Sequence, residues 1–421
     1  MKFATLSLGC KVNRYELDAV EELFLENGFE KDDKKPDVYV INSCSVTSIA
    51  DKKSRQMIHR VRHTFSDLKC LLVMGCYSQV NAQEAIANGA DVVIGTKYRC
   101  LAYELVTSFL QNKTKMIKID ENIRHSDYEN FAVIPNISET RAYVKIQDGC
   151  DNFCSYCIIP YTRGNSRSRE KQKIIDEISS LVNRGYKEVV LTGIHTGGYR
   201  VIENGHEYRL SNLIKDIFLH IPSLYRLRIS SIEESEIDDE LLNILKAEKR
   251  LANHFHVPLQ SGSAAVLKRM HRKYTTSDFI DKIERIRKIS PDIAITTDVI
   301  VGFPGETDEE FQETINLIKK INFSELHVFP FSSRSHTLAS TMPNQVSPQI
   351  KKQRVDELLK ISDELNRCYS KRFDGQKLEV LFEDFNQSEK KYRGHTSNYL
   401  EIKISSPTNL CGKIVLVSYN D

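Results

Sequence analysis

The chain has 421 residues, 40% of them hydrophobic and 28% charged, and a formal net charge of +2. That length suits about three domains, and the near-neutral balance excludes binding to nucleic acid or membrane through a global field, so any basic surface must be local. No apolar run approaches the about 18 residues of a membrane span, and MKFATLSLGC lacks the apolar region of a secretory signal, so a cytoplasmic location is expected.

Strand and helix patterns alternate over residues 1–115. KFATLSL reads as a strand, and RYELDAVEELFLENGF as a helix with Leu17, Val20, Leu23 and Phe24 on one face, ending at Gly28. PDVYVINS, CLLVMG and ADVVIG are further strands, separated by the basic helix SIADKKSRQMIHRVRHTF and a helix at NAQEAIANG. A last helix runs from about Lys97 to Leu110. Such alternation with short loops predicts an α/β domain whose parallel sheet has helices on both faces. Residues 116–140 are polar and unpatterned and read as a linker.

Alternation resumes over residues 141–371. AYVKIQ, EVVLTG, LYRLRISS, HFHVPL, IAITTDVIVG and ELHVFPF are candidate strands, with helices such as EKQKIIDEISSLVNRG and TSDFIDKIERIRKIS between them. Six βα units predict a partial (β/α)6 barrel rather than the closed eight. The long helix QIKKQRVDELLKISDELNRCYSKRF then leads to Gly375. Over residues 372–421 the pattern switches to the strands KLEVLFEDF, YLEIKIS and KIVLVSY, predicting a small all-β barrel of a size often used to hold nucleic acid.

Ten cysteines in such a chain read as metal ligands before disulfides. Cys150, Cys154 and Cys157 lie in DGCDNFCSYCIIPYTRG, spaced CxxxCxxC, directly after AYVKIQ and hence on the catalytic face of a barrel. Three thiolates can hold three irons of a four-iron cubane and leave the fourth iron an open position. A zinc knuckle with a nearby His or Cys as fourth ligand is the competing reading, although zinc favours shorter paired spacings. Cys10 in SLGCKVN, Cys44 in INSCSVT and Cys76 in VMGCYSQ each close a predicted parallel strand. Carboxyl ends of neighbouring parallel strands share one sheet edge, so these three should converge. The alternative is three small buried residues at strand ends. Cys70, Cys100, Cys368 and Cys411 fit neither set.

The order SLGCKVN, NSC, MGCYSQ and DGCDNFCSYCIIPYTRG, with Tyr156 before the last cysteine, resembles the radical S-adenosylmethionine (SAM) methylthiotransferases over nearly the whole chain. LTGIHTG, SSIEESEI, HVPLQSGS and TDVIVGFPGETDEEF extend the match. Glu234 stands where that family usually has proline, and FSSRSHTLAS departs from it at Phe331 and His336. The resemblance implies a cluster-binding domain at 1–115, a linker at 116–140, a radical SAM domain at 141–371 and a TRAM domain, a module associated with RNA, at 372–421. It implies two [4Fe-4S] clusters, on Cys10, Cys44 and Cys76 and on Cys150, Cys154 and Cys157, with S-adenosyl-L-methionine as cofactor and a flavodoxin or ferredoxin as low-potential electron donor.

It also implies Gly193, Glu233, Gln260 and Gly262 as cofactor-binding residues. The glycines would let backbone approach the ligand, Glu233 would accept a ribose hydroxyl, and Gln260 would lie beside the cluster; a merely structural role is the alternative for each. The SLGCKVN motif is similar to the bacterial branch that methylthiolates adenine C2 of N6-threonylcarbamoyladenosine at tRNA position 37. Isopentenyladenosine in tRNA and an aspartate of a ribosomal protein are the alternative substrates within the family, and a non-catalytic zinc- and RNA-binding protein is the alternative from another class. A tRNA anticodon stem-loop needs phosphate contacts, for which Arg163, Arg167 and Arg169 after the cluster loop and Lys390, Lys391 and Arg393 in the tail are candidates. Lys52, Lys53, Arg55, Arg60 and Arg62 offer a basic helix whose alternative reading is a solvated face.

Overall fold

The structure is a computed structural model that describes residues 1–131, 140–203 and 205–419. The chain divides into two compact units. The first joins Met1–Ser138, as far as it is described, to Gln147–Arg169 and Ser332–Ser340. The second comprises Glu139–Ile146, Glu170–Phe331 and Thr341–Asp421, again as far as described.

The first unit follows the alternation read from the sequence: β1 (Lys2–Ser7), α1 (Lys11–Glu26), β2 (Glu30–Lys31), β3 (Val38–Ser43), α2 (Ser48–Thr64), β4 (Cys70–Gly75), α3 (Cys76–Val80), α4 (Ala82–Ala87), β5 (Val92–Ile94), α5 (Ala102–Asn112) and β6 (Met116–Lys118). Among the described residues these strands form one parallel sheet of six, in the order β2-β1-β3-β4-β5-β6. Strand side chains alternate between faces, so consecutive apolar residues feed two cores. Phe3, Val38, Val40 and Leu72 pack with Leu17, Val20 and Phe24 of α1 and Val106 of α5. Ile41, Leu71, Val73 and Val93 pack with Ile58 and Val61 of α2. The α2 helix begins where the Thr47 side chain accepts from the Ala50 N–H, and Arg62 and His63 lie in its last turn, opposite the dipole's negative end. The structure corrects the expected start of the linker at residue 116: Met116–Lys118 pair with β5 as an edge strand. Three residues ending in lysine are too few to show a period.

The strand β7 (Arg141–Asp148) runs from the second unit into the first, where α6 (Ile159–Thr162) and the short antiparallel partner β8 (Arg167–Ser168) follow. The second unit continues with α7 (Lys171–Asn183), β9 (Glu188–Gly193), the hairpin β10 (Arg200–Glu203) and β11 (His206–Arg209), α8 (Leu210–His220), β12 (Arg226–Ile229), α9 (Asp239–Ala247) and β13 (His254–His256). Then come α10 (Ala264–Arg269), α11 (Thr276–Ile289), β14 (Ala294–Val301), α12 (Asp308–Ile321), β15 (Glu325–Pro330) and α13 (Pro348–Ser370). All six anticipated barrel strands are present, as the sheets β12-β9-β7-β8 and β13-β14-β15, and a parallel bridge between Leu227 and Leu251 links the first sheet to the segment before β13. This is the partial barrel expected from the six units.

The tail forms β16 (Lys377–Asn386), β17 (Lys391–Thr396), β18 (Glu401–Ile404) and β19 (Ile414–Ser418), an antiparallel sheet ordered β18-β17-β16-β19. The polar strand β17 was not anticipated, because KYRGHT lacks apolar alternation. In the β17–β18 turn, Tyr399 adopts a φ of +65° and stacks between His254 and His395, with ring centroids 4.6 and 4.8 Å away. Among the described residues no helix is long and apolar enough to cross a membrane.

Candidate active site

Cys10, Cys44 and Cys76 follow β1, β3 and β4, which are neighbours in the sheet. The register pairs Ser7 with Asn42 and Ser43 with Gly75, so the three chain exits line up at one edge. Gly9 has a φ of +100°, and a Cβ there would sit 2.8 Å from Cys44 Sγ, so a side chain at this position would displace the thiol. Burial, helped by the neighbouring Cys76 and Cys10, pushes the Cys44 thiol up to about 12. Cys10 is an exposed residue whose thiol is nevertheless desolvated by the protein around it and raised, with Arg163 opposing the shift. Soft thiol donors gathered at one sheet edge suit a cationic centre that binds them as thiolates. The donor set therefore fits an iron–sulfur cluster.

Cys150, Cys154 and Cys157 are all half-buried on the loop after β7, within the same compact unit. The Cys150 N–H donates to the Gly164 carbonyl (3.0 Å), the Cys157 N–H to the Cys154 carbonyl (3.0 Å), and the Ala339 N–H to the Ser155 carbonyl (2.8 Å). Gly149 turns the chain out of β7 with a φ of +73°, where a Cβ would lie 2.0 Å from the Asn165 carbonyl oxygen. The loop is thus fixed by backbone bonds while its three thiols keep solvent access, which fits a cluster reachable by a reductant and a small cofactor.

Arg163 ties the first thiol set to Asp148 at the end of β7, two residues before Cys150. It is fully buried, and its Nε donates to Cys76 Sγ at 3.3 Å. Nη1 donates to Glu16 Oε1 (2.8 Å) and Asp148 Oδ1 (3.0 Å), and Nη2 to Asn13 Oδ1 (2.8 Å) and Glu16 Oε2 (3.1 Å). Burial alone would discourage the charge, but Cys76, Glu16 and Asp148 hold the guanidinium cationic. Arg99, also fully buried, pairs with Glu16 and with Glu129 (2.8 Å). Asn13 donates to the carbonyls of Leu8 (2.7 Å) and Ser43 (3.0 Å), bracing the exits of β1 and β3.

This network corrects the expectation that Arg163, Arg167 and Arg169 face phosphates. Arg163 has no exposed surface. Arg167 donates to the carbonyls of Arg163 (2.6 Å) and Asn165 (3.2 Å) and pairs with Asp148 (3.2 Å). Arg169 is buried and donates to the Tyr15 hydroxyl (3.2 Å). Buried carboxylates beside thiolates require buried cations, and these arginines supply them. Asn13, Glu16, Arg99 and Asp148 were missed from the sequence; the one available signal is that Asn13 and Glu16 share a helix face starting at the cysteine.

The residues expected to bind SAM lie in the second unit. Gly193 ends β9 and is half-buried. Glu233 follows β12, pairs with Arg272 and caps a short turn with Glu236. Gln260 adopts a φ of +63°; its N–H donates to the Asp298 carbonyl and its own carbonyl accepts from Ile300, both at 2.8 Å. Gly262 departs from its expected role: its N–H is spent on Thr314 Oγ1 (3.0 Å), and a Cβ would sit 2.6 Å from Thr314 Cα, so it serves packing against α12. Lys390 and Lys391 are exposed at the β16–β17 turn, whereas Arg393 is half-exposed and paired with Asp384.

The Radical SAM superfamily matches residues 144–318, and the Uncharacterized protein family UPF0004 matches residues 2–95. The threonylcarbamoyladenosine tRNA methylthiotransferase MtaB of Bacillus subtilis (strain 168) is 43% identical, over 98% of this chain and 92% of its own. The tRNA-2-methylthio-N(6)-dimethylallyladenosine synthase of Geobacillus thermodenitrificans (strain NG80-2) is 33% identical, over 99% of this chain and 80% of its own. Among solved structures, the radical SAM methyltransferase TsrM of Kitasatospora setae, with cobalamin and a [4Fe-4S] cluster bound, superposes with a TM-score of 0.59 over 80% of this chain and 74% of its own. At 14% identity that likeness concerns the fold alone.

Proposed function

Because the chain belongs to the radical SAM tRNA methylthiotransferases, we propose that it methylthiolates adenine C2 of N6-threonylcarbamoyladenosine at tRNA position 37, giving 2-methylthio-N6-threonylcarbamoyladenosine. The observation that carries this reading is the presence of two three-thiol sets in one compact unit, with Arg163 bonded both to Cys76 of the first set and to Asp148 beside the second. The threonylcarbamoyl branch is favoured over the dimethylallyl branch by 43% against 33% identity, each over nearly the whole chain.

Cys150, Cys154 and Cys157 would hold the cluster that works with SAM, and Cys10, Cys44 and Cys76 the second. When bound, these groups supply an electron for SAM cleavage, radical attack on a C–H bond that acid–base catalysis cannot reach, and an iron site for sulfur. The protein's share is to hold and orient. Three thiols per set leave a coordination position that no side chain of the set fills. Arg163 neutralises Glu16 and Asp148 and donates to the Cys76 sulfur, fixing the position and charge of one ligand. Half-buried Cys150, Cys154 and Cys157 suit electron entry from a small donor such as a flavodoxin or ferredoxin. Exposed Lys390 and Lys391 are the residues proposed to meet the anticodon stem-loop phosphates. Such a substrate supports a cytoplasmic location for the enzyme.

Anaerobic turnover with tRNA bearing the threonylcarbamoyl group tests the reading. Cys154→Ala should abolish 5′-deoxyadenosine formation, whereas Cys44→Ala should spare that cleavage and lose thiolation. Full methylthiolation by Cys44→Ala would overturn the role of the first triad. Nucleoside analysis of tRNA from cells lacking the protein should show loss of the methylthio form of this one adenosine; loss from dimethylallyladenosine, or from a ribosomal protein, would overturn the substrate.

A further inference from the structure

The parallel register of β13, β14 and β15 pairs His256 with Thr296 and Asp298 with His327. Alternation puts Thr296 and Asp298 on one face of β14, opposite the fully buried Thr297, Val299 and Val301. On that face His256 Nε2 lies 3.2 Å and His327 Nδ1 3.3 Å from the same atom, Asp298 Oδ1. The two imidazoles stack with centroids 5.2 Å apart. Among the described residues, these three donor atoms all lie within 4.8 Å of one another.

We propose that His256, Asp298 and His327 form a mononuclear site for a divalent transition-metal ion in the second unit, built without cysteine. Ligand bonds of 2.0–2.2 Å put neighbouring donors about 3.0 Å apart in octahedral and about 3.4 Å apart in tetrahedral geometry, and both histidine–aspartate separations fall in that window. The third edge, between the two imidazoles, closes by rotation of the His327 ring, whose side chain is 44% exposed. Two imidazoles and one carboxylate form a donor set that suits zinc or iron(II) and leaves positions for further oxygen donors.

The surrounding shell is also that of a ligand site. His256 Nδ1 lies 2.9 Å from Thr296 Oγ1, and His254 Nε2 lies 3.0 Å from the same oxygen. That hydroxyl can accept from His256 Nδ1–H and donate to His254, which leaves His256 Nε2 unprotonated toward Asp298, the tautomer a metal requires. His327 also lines a cavity of about 980 Å³ shared with Glu325, Asn366, His395 and Tyr399, which brings solvent to that ligand. The proposal does not depend on which nucleoside is the substrate.

The test uses the full chain with both clusters loaded, freed of loose metal under anaerobic conditions, exposed to Zn²⁺ and desalted. The wild type should retain one zinc per chain, with only nitrogen and oxygen in its first shell by X-ray absorption. His327→Ala, at an exposed position that tolerates truncation, and the isosteric Asp298→Asn should each cut zinc affinity at least about tenfold while iron content and circular dichroism stay at wild-type values. Failure of the wild type to retain zinc, sulfur in the zinc shell, or equal retention by both variants would overturn the site.

Discussion

Arg163 is the residue on which most of the first unit's buried charge converges. Replacing it with Met leaves Glu16 to Arg99 and Asp148 to Arg167, a loss bounded above by the about 3–5 kcal/mol of a fully uncompensated buried charge; thermal melts of Arg163→Met should fall. The same change removes the N–H donated to Cys76 Sγ. A cationic donor at a ligand sulfur favours the reduced cluster, so its loss should lower the midpoint potential of the cluster proposed for Cys10, Cys44 and Cys76. In an EPR-monitored redox titration the Cys150 set should shift less, since the guanidinium N–H groups of Arg163 are directed at Cys76, Glu16, Asp148 and Asn13. Lys390→Glu and Lys391→Glu sit at the opposite extreme of exposure. They should raise the KM for tRNA, leave kcat unchanged and reduce the salt dependence of binding by about one unit of slope for each phosphate no longer neutralised.

At the scale of elements, β9 and β12 are joined by more than backbone pairing. Glu188 is fully buried against Arg226, which is its register partner on β12, and Arg228. Burial would raise the Glu188 carboxyl, but Arg228, Arg226 and Arg141 hold it down at about 2. A folded value below the about 4.3 of an unfolded glutamate means that this stabilisation is present at neutral pH and is lost as pH falls through about 4 toward 2. Wild type should therefore melt well above Glu188→Gln at pH 7, and the gap should narrow across that acid interval. The elements themselves were legible where periodicity was strong: the six barrel strands and the long helices stand where the pattern put them. Short or polar strands such as β6, β17 and the β10–β11 hairpin were not, because they are held by pairing with a neighbour rather than by an apolar face of their own.

At the scale of the molecule, the sequence suggests consecutive modules, yet the two compact units draw on separated segments. The CxxxCxxC loop groups with the N-terminal sheet. The tail sheet groups with the barrel: the Arg228 guanidinium donates to the carbonyls of Thr396 and Ser397 at 3.1 Å, and Arg226 to that of His395 at 3.4 Å. Truncation after Gly375 would strip these acceptors from buried guanidiniums and unstack Tyr399 from His254. The shortened chain is expected to melt lower and aggregate, measured by thermal denaturation and light scattering. An unchanged melting temperature with only weaker tRNA binding would mean that the tail is an independent appendage.

The two cysteine sets and the α/β alternation were determined by the sequence alone, because thiol spacing and hydrophobic period are local properties of the chain. The tertiary structure alone decided that Arg163, read from the sequence as a phosphate contact, is an internal cation, since its partner Glu16 lies 147 residues away. It likewise decided that His256, Asp298 and His327 meet at one oxygen. Such convergence depends on strand register, and a shift of one residue would send each of these side chains to the opposite face.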